Sequence, residues 1–377
     1  MKVVAVSETR GLETRVALVP ESCKKLVQKG VDVAIEAGAG AASGFPDHDY
    51  TAAGANIAPD RNALLASADF LFGVGVPDGS DISQLKAGAM LISSLLPIRN
   101  VEALQQLAKQ QVTAFSTDAI PRTTRAQSMD TLSSMANIAG YKAVLIAALE
   151  SNKYFPMFMT AAGTVFPAKV FIIGVGVAGL QAIATAKRLG ATVEATDTRS
   201  VTKEQVESLG GRFVGVESDE DAQTAGGYAK ELSAEFYRKQ GELIAERCKA
   251  SDVVITTALI GGVKAPKLIT ADTVRNMKPG AVIVDLAAEA GGNCELTRPG
   301  ETRLENGVKI CAPLNLPATM PFHGSTLYSR NLTTFFLEFW KDNAFNLNLE
   351  DEIITGAMVT HGGDITHKGV KEALANA

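Results

Sequence analysis

Residues 169–197 read KVFIIGVGVAGLQAIATAKRLGATVEATD, and the order of residue types in this stretch decides the fold. Apolar Val170 to Ile173 predicts a strand that runs straight into Gly174, Val175, Gly176, Val177, Ala178 and Gly179. A helix follows, with Leu180, Ile183, Ala184 and Leu189 on its small, apolar face. Gly190 stops it, and a second strand begins near Thr192 and ends on Asp197. This is a dinucleotide-binding strand–helix–strand unit. Gly174 permits the tight turn, Gly176 lets backbone N–H groups approach a pyrophosphate, and Gly179 lets the helix pack closely on the strand, its positive end toward the phosphates. Asp197 falls where a carboxylate accepts hydrogen bonds from the adenosine ribose hydroxyls. A 2′-phosphate beside that carboxylate would meet a repulsion of about 4 kcal/mol per charge pair at an effective dielectric of about 20. NAD(H) is therefore expected over NADP(H), with Arg199 closing over the adenine or pairing locally.

The chain has 377 residues, too many for one core, and suits two domains. With 46% hydrophobic and 20% charged residues it reads as an ordinary globular protein, and a net charge of −5 gives no electrostatic footprint for nucleic acid. The uncharged run from Val170 to Ala186 approaches the length of a membrane span, but its fingerprint glycines and Gln181 argue for strand, turn and helix. The run from Tyr154 to Ala168 is shorter and broken by prolines, so no direct membrane insertion is expected. Met1 to Arg10 reads as a first strand rather than a signal peptide. Cys23, Cys248, Cys294 and Cys311 lie far apart without a CxxC pair, as reduced, mostly buried thiols of a cytoplasmic protein would. His361 and His367, in a glycine-containing tail, read as solvated side chains rather than metal ligands, and no metal site is expected.

The fold class is α/β, with two Rossmann-like doubly wound parallel-sheet domains joined by long helices across a cleft. The expected N-terminal domain comprises 1–134 plus 326–377, and the dinucleotide domain 135–325. In the first, strands at Val3 to Val6, Val31 to Glu36, Phe70 to Val74, Met90 to Ser93 and Val112 to Ser116 alternate with helices such as Glu21 to Lys29 and Val101 to Lys109. A long helix from about Arg125 to Glu150 leads to the second, which continues through strands Val253 to Thr257, Ala281 to Leu286 and Val308 to Cys311. A return helix from Thr326 to Asp342 carries Leu327, Leu332, Phe335, Phe336, Phe339 and Trp340 at helical spacing, an aromatic stripe read as core or interface. The glycine clusters at 38–44 and 73–79 lead into turns, not helices, leaving one convincing dinucleotide site.

Three further motifs accompany the fingerprint: Arg122-Thr-Thr-Arg-Ala-Gln127-Ser-Met-Asp130-Thr-Leu-Ser133, Thr224-Ala-Gly-Gly227-Tyr228, and Asp285-Leu-Ala-Ala-Glu289-Ala-Gly-Gly-Asn293. With Glu13-Thr-Arg15-Val-Ala-Leu-Val-Pro20, they resemble the alanine dehydrogenase and nicotinamide nucleotide transhydrogenase family over essentially the whole chain. The RAQSMD and GVGVAGLQAIATAKRLGA segments resemble the NAD(H)-binding first domain of proton-translocating transhydrogenase. Chemistry separates the two branches. An amino-acid dehydrogenase must bind a carboxylate and move protons as well as hydride. Alanine dehydrogenases place a lysine, a histidine and an aspartate where this chain has Gly75, Leu96 and Glu289. Arg15 remains, and without those partners it is read as pairing within its own domain. Hydride exchange between two nicotinamides needs only orientation and a dry site, so the missing histidine favours the transhydrogenase branch.

The resemblance implies roles for individual residues. Arg122, Gln127, Asp130 and Ser133 would border the nicotinamide half, with Ser133 and Asp130 on its carboxamide and ribose and Gln127 touching both nucleotides. Read from the residues alone, that segment is helix capping and surface polarity. Val177 would contact the pyrophosphate, and Asp197, Thr198 and Arg199 would border the adenosine, with Gln240 and Leu259 completing that side. The stretch 217–232 would be a mobile loop closing over the nucleotide at Gly227 and Tyr228. The implied protein is a homodimeric, Re/Si-specific NAD(P)+ transhydrogenase subunit on the cytoplasmic face of the membrane. It would bind NAD(H) and present it to NADP(H) on a partner subunit, while membrane-spanning subunits translocate protons. The rival readings are an amino-acid dehydrogenase and a non-catalytic NAD(H) sensor.

Overall fold

The computed structural model describes residues 1–216, 233–259 and 264–375. They divide into two compact units, Met1–Met135 with Pro317–Ala377, and Ala136–Leu316. The chain re-enters the first unit ahead of the helix Pro321–Glu338, not inside it at 326. The first turns of that helix pack through small polar residues, where an apolar periodicity gives no signal: the backbone N–H groups of Val16 and Val19 donate to Ser325 Oγ and Ser329 Oγ, each at 3.0 Å.

The first unit holds an eight-stranded sheet in the order Asp364–Ile365, Met358–His361, Thr113–Ser116, Met90–Ser93, Phe70–Phe72, Lys2–Ala5, Asp32–Glu36, Asn56–Ala58. Pairing is parallel from Thr113–Ser116 onward and antiparallel at the two C-terminal strands. The central strands are buried on both faces and read as continuous apolar runs, as a parallel sheet requires. One face is filled by rings: Phe335, Phe336 and Phe345 pack against Phe70, Phe72 and Phe115, with Phe70 and Phe336 edge to face at 5.4 Å. The aromatic stripe is core.

The tail differs from its expectation. It adds two strands, and its histidines are half-buried with partners. His361 Nδ1 lies 3.0 Å from Thr113 Oγ1, and His367 Nδ1 accepts from Val370 N–H at 3.3 Å beside the last helix. His361 reads as solvated from sequence because Met358–His361 pairs with a strand remote in the chain.

The second unit holds a seven-stranded sheet in the order Arg212–Phe213, Thr192–Thr196, Lys169–Ile173, Val253–Thr256, Val282–Asp285, Val308–Cys311, Thr302–Glu305, parallel except for the last pair. Strand order reverses beside Lys169–Ile173, because the chain steps outward on one side of it and then returns on the other. Ligands bind at such a switch point, beyond the carboxyl ends of the strands.

The long helix spans Thr131–Glu150, beginning later than the sequence suggested because Asp130 caps it. Among the described residues it is the one helix long and apolar enough to cross a membrane by length and composition. Ala143, Val144 and Ala147 on it are nevertheless fully buried against Val170, Ile172, Ala182 and Ile183 of the second unit. After it, Phe158–Thr160 and Gly163–Val165 form a two-stranded hairpin where the sequence shows only a proline-broken run.

Candidate functional site

The fingerprint turn joins Lys169–Ile173 to the helix Val177–Arg188. Its three glycines do different work. Gly174 has φ +93°, a left-handed conformation that disfavours a side chain, and a Cβ there would lie 2.7 Å from Thr257 Oγ1. A Cβ on Gly179 would lie 2.0 Å from the Gly174 carbonyl oxygen. These two are glycines because the protein's own atoms fill the space. Gly176 is exposed, and among the described residues a Cβ on it would meet no heavy atom within 4 Å. No packing among the described residues explains that glycine. It lies at the helix N-terminus, where the first-turn N–H groups have no carbonyl one turn earlier to bond. An open glycine beside such donors is a cradle that suits a pyrophosphate.

The turn is tied to its neighbours at the carboxyl edge of the sheet. Thr257 Oγ1 donates to the Gly174 carbonyl at 2.9 Å, and Gly174 N–H donates to Thr196 O at 2.9 Å. Val175 N–H donates to Asp197 Oδ2 at 2.7 Å, bringing the acid at the end of Thr192–Thr196 against the turn. Arg199 pairs with the same carboxylate through Nε at 2.8 Å and Nη2 at 2.9 Å. Burial pushes the Asp197 carboxyl upward, but the Arg199 guanidinium and the N–H groups of Arg199 and Val175 outweigh it and hold the group below the usual aspartate value. Thr198 is half-buried between the two. Val177 is 40% exposed in the first helical turn, Leu259 is 44% exposed just past Val253–Thr256, and Gln240 is buried within the helix Ala234–Ala250. Gly227 and Tyr228 lie outside the described residues. Sequence reasoning missed Thr257, which nothing in the spacing of residues marks. It also missed Gly140, where a Cβ would lie 2.1 Å from the Ala178 carbonyl and so block the packing of the long helix on the fingerprint helix.

In the first unit, the segment from Arg122 to Ser133 is anchored from behind. Ala126 and Met129 are buried, Asn331 Nδ2 donates to Ser128 O at 2.8 Å, and Arg125 Nη2 donates to both Asp351 oxygens at 2.5 and 2.6 Å. Arg122 and Gln127 are exposed. Asp130 caps the long helix by accepting from Ser133 N–H at 2.8 Å, and accepts from Ser133 Oγ at 2.6 Å. The Ser133 hydroxyl hydrogen is thereby spent, leaving its oxygen as an acceptor.

The positions that would distinguish an amino-acid dehydrogenase offer no cation and no imidazole. Gly75 N–H donates to Glu8 Oε2 at 3.3 Å, Leu96 N–H donates to Asp118 Oδ2 at 2.9 Å, and Glu289 Oε1 accepts from Asn315 N–H at 2.7 Å. Arg15 donates through Nε and Nη2 to the two oxygens of Glu13. Asp285, fully buried, spends its carboxylate on Thr256, Thr297 and the N–H groups of Ala287 and Cys294, holding the loop that follows its strand.

Residues 4–139 match the family model described as alanine dehydrogenase/PNT, N-terminal domain, and residues 143–368 match alanine dehydrogenase/PNT, C-terminal domain. The chain is 48% identical over 376 residues to the first part of NAD(P) transhydrogenase subunit alpha of Rhodospirillum rubrum, covering 97% of this chain and 98% of that one. It is 30% identical to an alanine dehydrogenase of Halomonas elongata over 99% of this chain and 97% of the relative. The crystal structure of transhydrogenase from Sinorhizobium meliloti superposes with a TM-score of 0.89 at 45% identity, covering 97% of this chain and all of the other.

Proposed function

The chain belongs to the alanine dehydrogenase/PNT family, and from that premise we propose that it is the NAD(H)-binding subunit of a proton-translocating NAD(P) transhydrogenase. Open space at Gly176, beside a helix N-terminus and within a turn bonded to Asp197, carries the coenzyme reading. The locked Arg15 and the residues at 75 and 96 carry the choice of branch, since they supply neither the carboxylate anchor nor the imidazole that amino-acid oxidation uses. These features weigh against the dehydrogenase reading despite the similarity to alanine dehydrogenase.

Bound to this chain, NAD(H) supplies the carbon that gives or takes the hydride, and the protein's part is to hold and orient. In the second unit, Gly174, Gly176, Val177 and Gly179 hold the pyrophosphate, Asp197 takes the ribose hydroxyls, and Thr198, Arg199, Gln240 and Leu259 border the adenosine. In the first unit, the Ser133 oxygen accepts from the nicotinamide carboxamide, Asp130 orients Ser133 and borders the ribose, and exposed Arg122 and Gln127 face the transfer point. No side chain is assigned a proton. The chemistry is orientation and exclusion of water, and NADP(H) is held by a partner subunit.

Membrane-spanning subunits carry the protons, and this chain sits against the cytoplasmic face through them. It works as a homodimer. Leu149 at the end of the long helix is 82% exposed, Met159 on the hairpin 83% and Phe166 just past it 78%, beside two strands that lack a wider sheet and that a second copy would cover.

The test is reconstitution. Purified chain mixed with an NADP(H)-binding transhydrogenase component is expected to pass hydride from NADH to an NADP+ analogue, with none passed by either alone. NADH oxidation by pyruvate and ammonia on the isolated chain would overturn the assignment. Tight NADH binding with no turnover in any mixture would leave the sensor reading.

A further inference from the structure

The Asp197 carboxylate has no acceptor site to spare. Oδ1 accepts from Arg199 N–H at 2.9 Å and Arg199 Nε at 2.8 Å, while Oδ2 accepts from Val175 N–H at 2.7 Å and Arg199 Nη2 at 2.9 Å. A carboxylate offers about four lone-pair sites, two per oxygen, so all are in use. Two of the donors are backbone groups fixed by the fold. The other two belong to the guanidinium, one on each oxygen, and the same Nη2 also reaches the Val175 carbonyl at 3.2 Å.

A ribose carries two vicinal hydroxyls that present the same pattern to a carboxylate, one donor for each oxygen. We infer that the Arg199 guanidinium occupies the place of the adenosine ribose diol, so that coenzyme binding exchanges one bidentate donor for another. This rests on the coenzyme reading above. Arg199 is then a positioning residue with two effects. Before the coenzyme arrives, it keeps the Asp197 oxygens ionised and aligned against the fingerprint turn. It also lowers apparent affinity, because only chains in which the guanidinium has left Asp197 accept the ribose. The exchange bears on specificity as well. A 2′-phosphate has no hydroxyl hydrogen to return to Oδ1 or Oδ2, so displacing Arg199 for it leaves the carboxylate short of a donor and beside a like charge.

The experiment is a double-mutant cycle in the full chain, with Arg199→Met, Asp197→Asn and the double variant, each titrated with NADH by calorimetry. Exchange predicts that Arg199→Met tightens NADH by about tenfold where Asp197 is present. In the Asp197→Asn background, where the guanidinium no longer holds the carboxylate that the ribose takes, the same change is expected to leave affinity where it was. Arg199→Lys, which keeps the charge without the planar fork, is expected to fall between native and Arg199→Met, and it serves if Arg199→Met does not fold. Equal weakening of NADH by Arg199→Met in both backgrounds would mean direct contact with the nucleotide and overturns the exchange. So does an unchanged affinity in both. A native chain that binds no NADH overturns the coenzyme reading itself, whereas native binding with an inert Arg199→Met overturns the exchange alone.

Discussion

Arg15 and Glu13 bind each other through two parallel contacts, Nε to Oε1 at 2.7 Å and Nη2 to Oε2 at 2.6 Å, with each side chain only 10% exposed. The remaining Nη1 points at Met135 Sδ at 3.0 Å. Removing one side chain takes from the other, buried charge both contacts of this pair. Glu13→Ala should cost about 3 kcal/mol in urea unfolding, whereas the double change Glu13→Leu with Arg15→Met should cost much less. Neither variant should oxidise NADH with pyruvate and ammonia.

The fingerprint glycines separate folding from binding. Gly179→Ala places a methyl group 2.0 Å from the Gly174 oxygen and should destabilise the second unit by about 3 kcal/mol. Gly176→Ala meets no atom of the described residues, so its melting temperature should stay at the native value while NADH affinity falls by about tenfold or more. A Gly176→Ala variant that melts early but binds normally would remove the case for a coenzyme cradle.

The fingerprint turn is legible in the sequence, because each of its residues answers a local backbone need: a left-handed turn at Gly174, a close approach at Gly179, an acid at a strand end at Asp197. What is not legible comes from contacts between distant segments. Thr257 pins the Gly174 carbonyl from a neighbouring strand, and Gly140 matters only because Ala178 packs on it. The strands Met358–His361 and Asn56–Ala58 are short and lie at or near the sheet edges, one paired to a segment far back in the chain, so periodicity alone gives them no weight. The aromatic stripe of Phe335 and Phe336 is legible as buried, but which rings meet it is not.

Exposed Met159 and Phe166 on or beside the hairpin should make assembly sensitive to charge. Met159→Asp with Phe166→Asp is expected to halve the mass measured by light scattering and to leave NADH affinity near native. An unchanged mass would move the interface elsewhere.

Asp252 accepts from Lys153 Nζ at 2.7 Å, Lys278 Nζ at 3.1 Å and Lys169 N–H at 3.0 Å. Burial pushes its pKa up, but these partners bring it below the ordinary aspartate value. A depressed native pKa stabilises the fold above the unfolded-state value, and that contribution is lost as pH falls through the native one. Asp252→Asn should therefore cost about 2 kcal/mol at pH 7. The unfolding curves of native and variant should converge as the medium is acidified below the usual aspartate range. A gap independent of pH would show that packing, not charge, sets the cost.

The first unit is assembled from segments on either side of the second. The strand Thr113–Ser116 meets Met358–His361 only across the whole of Ala136–Leu316, and Phe70, Phe72 and Phe115 wait for Phe335, Phe336 and Phe345. On the ribosome the contiguous second unit can close as it emerges, while the earlier-made strands hold their apolar faces open until the later helices are synthesised. Biogenesis therefore runs against sequence order, and the half that is translated first is the half that chaperones must shield longest.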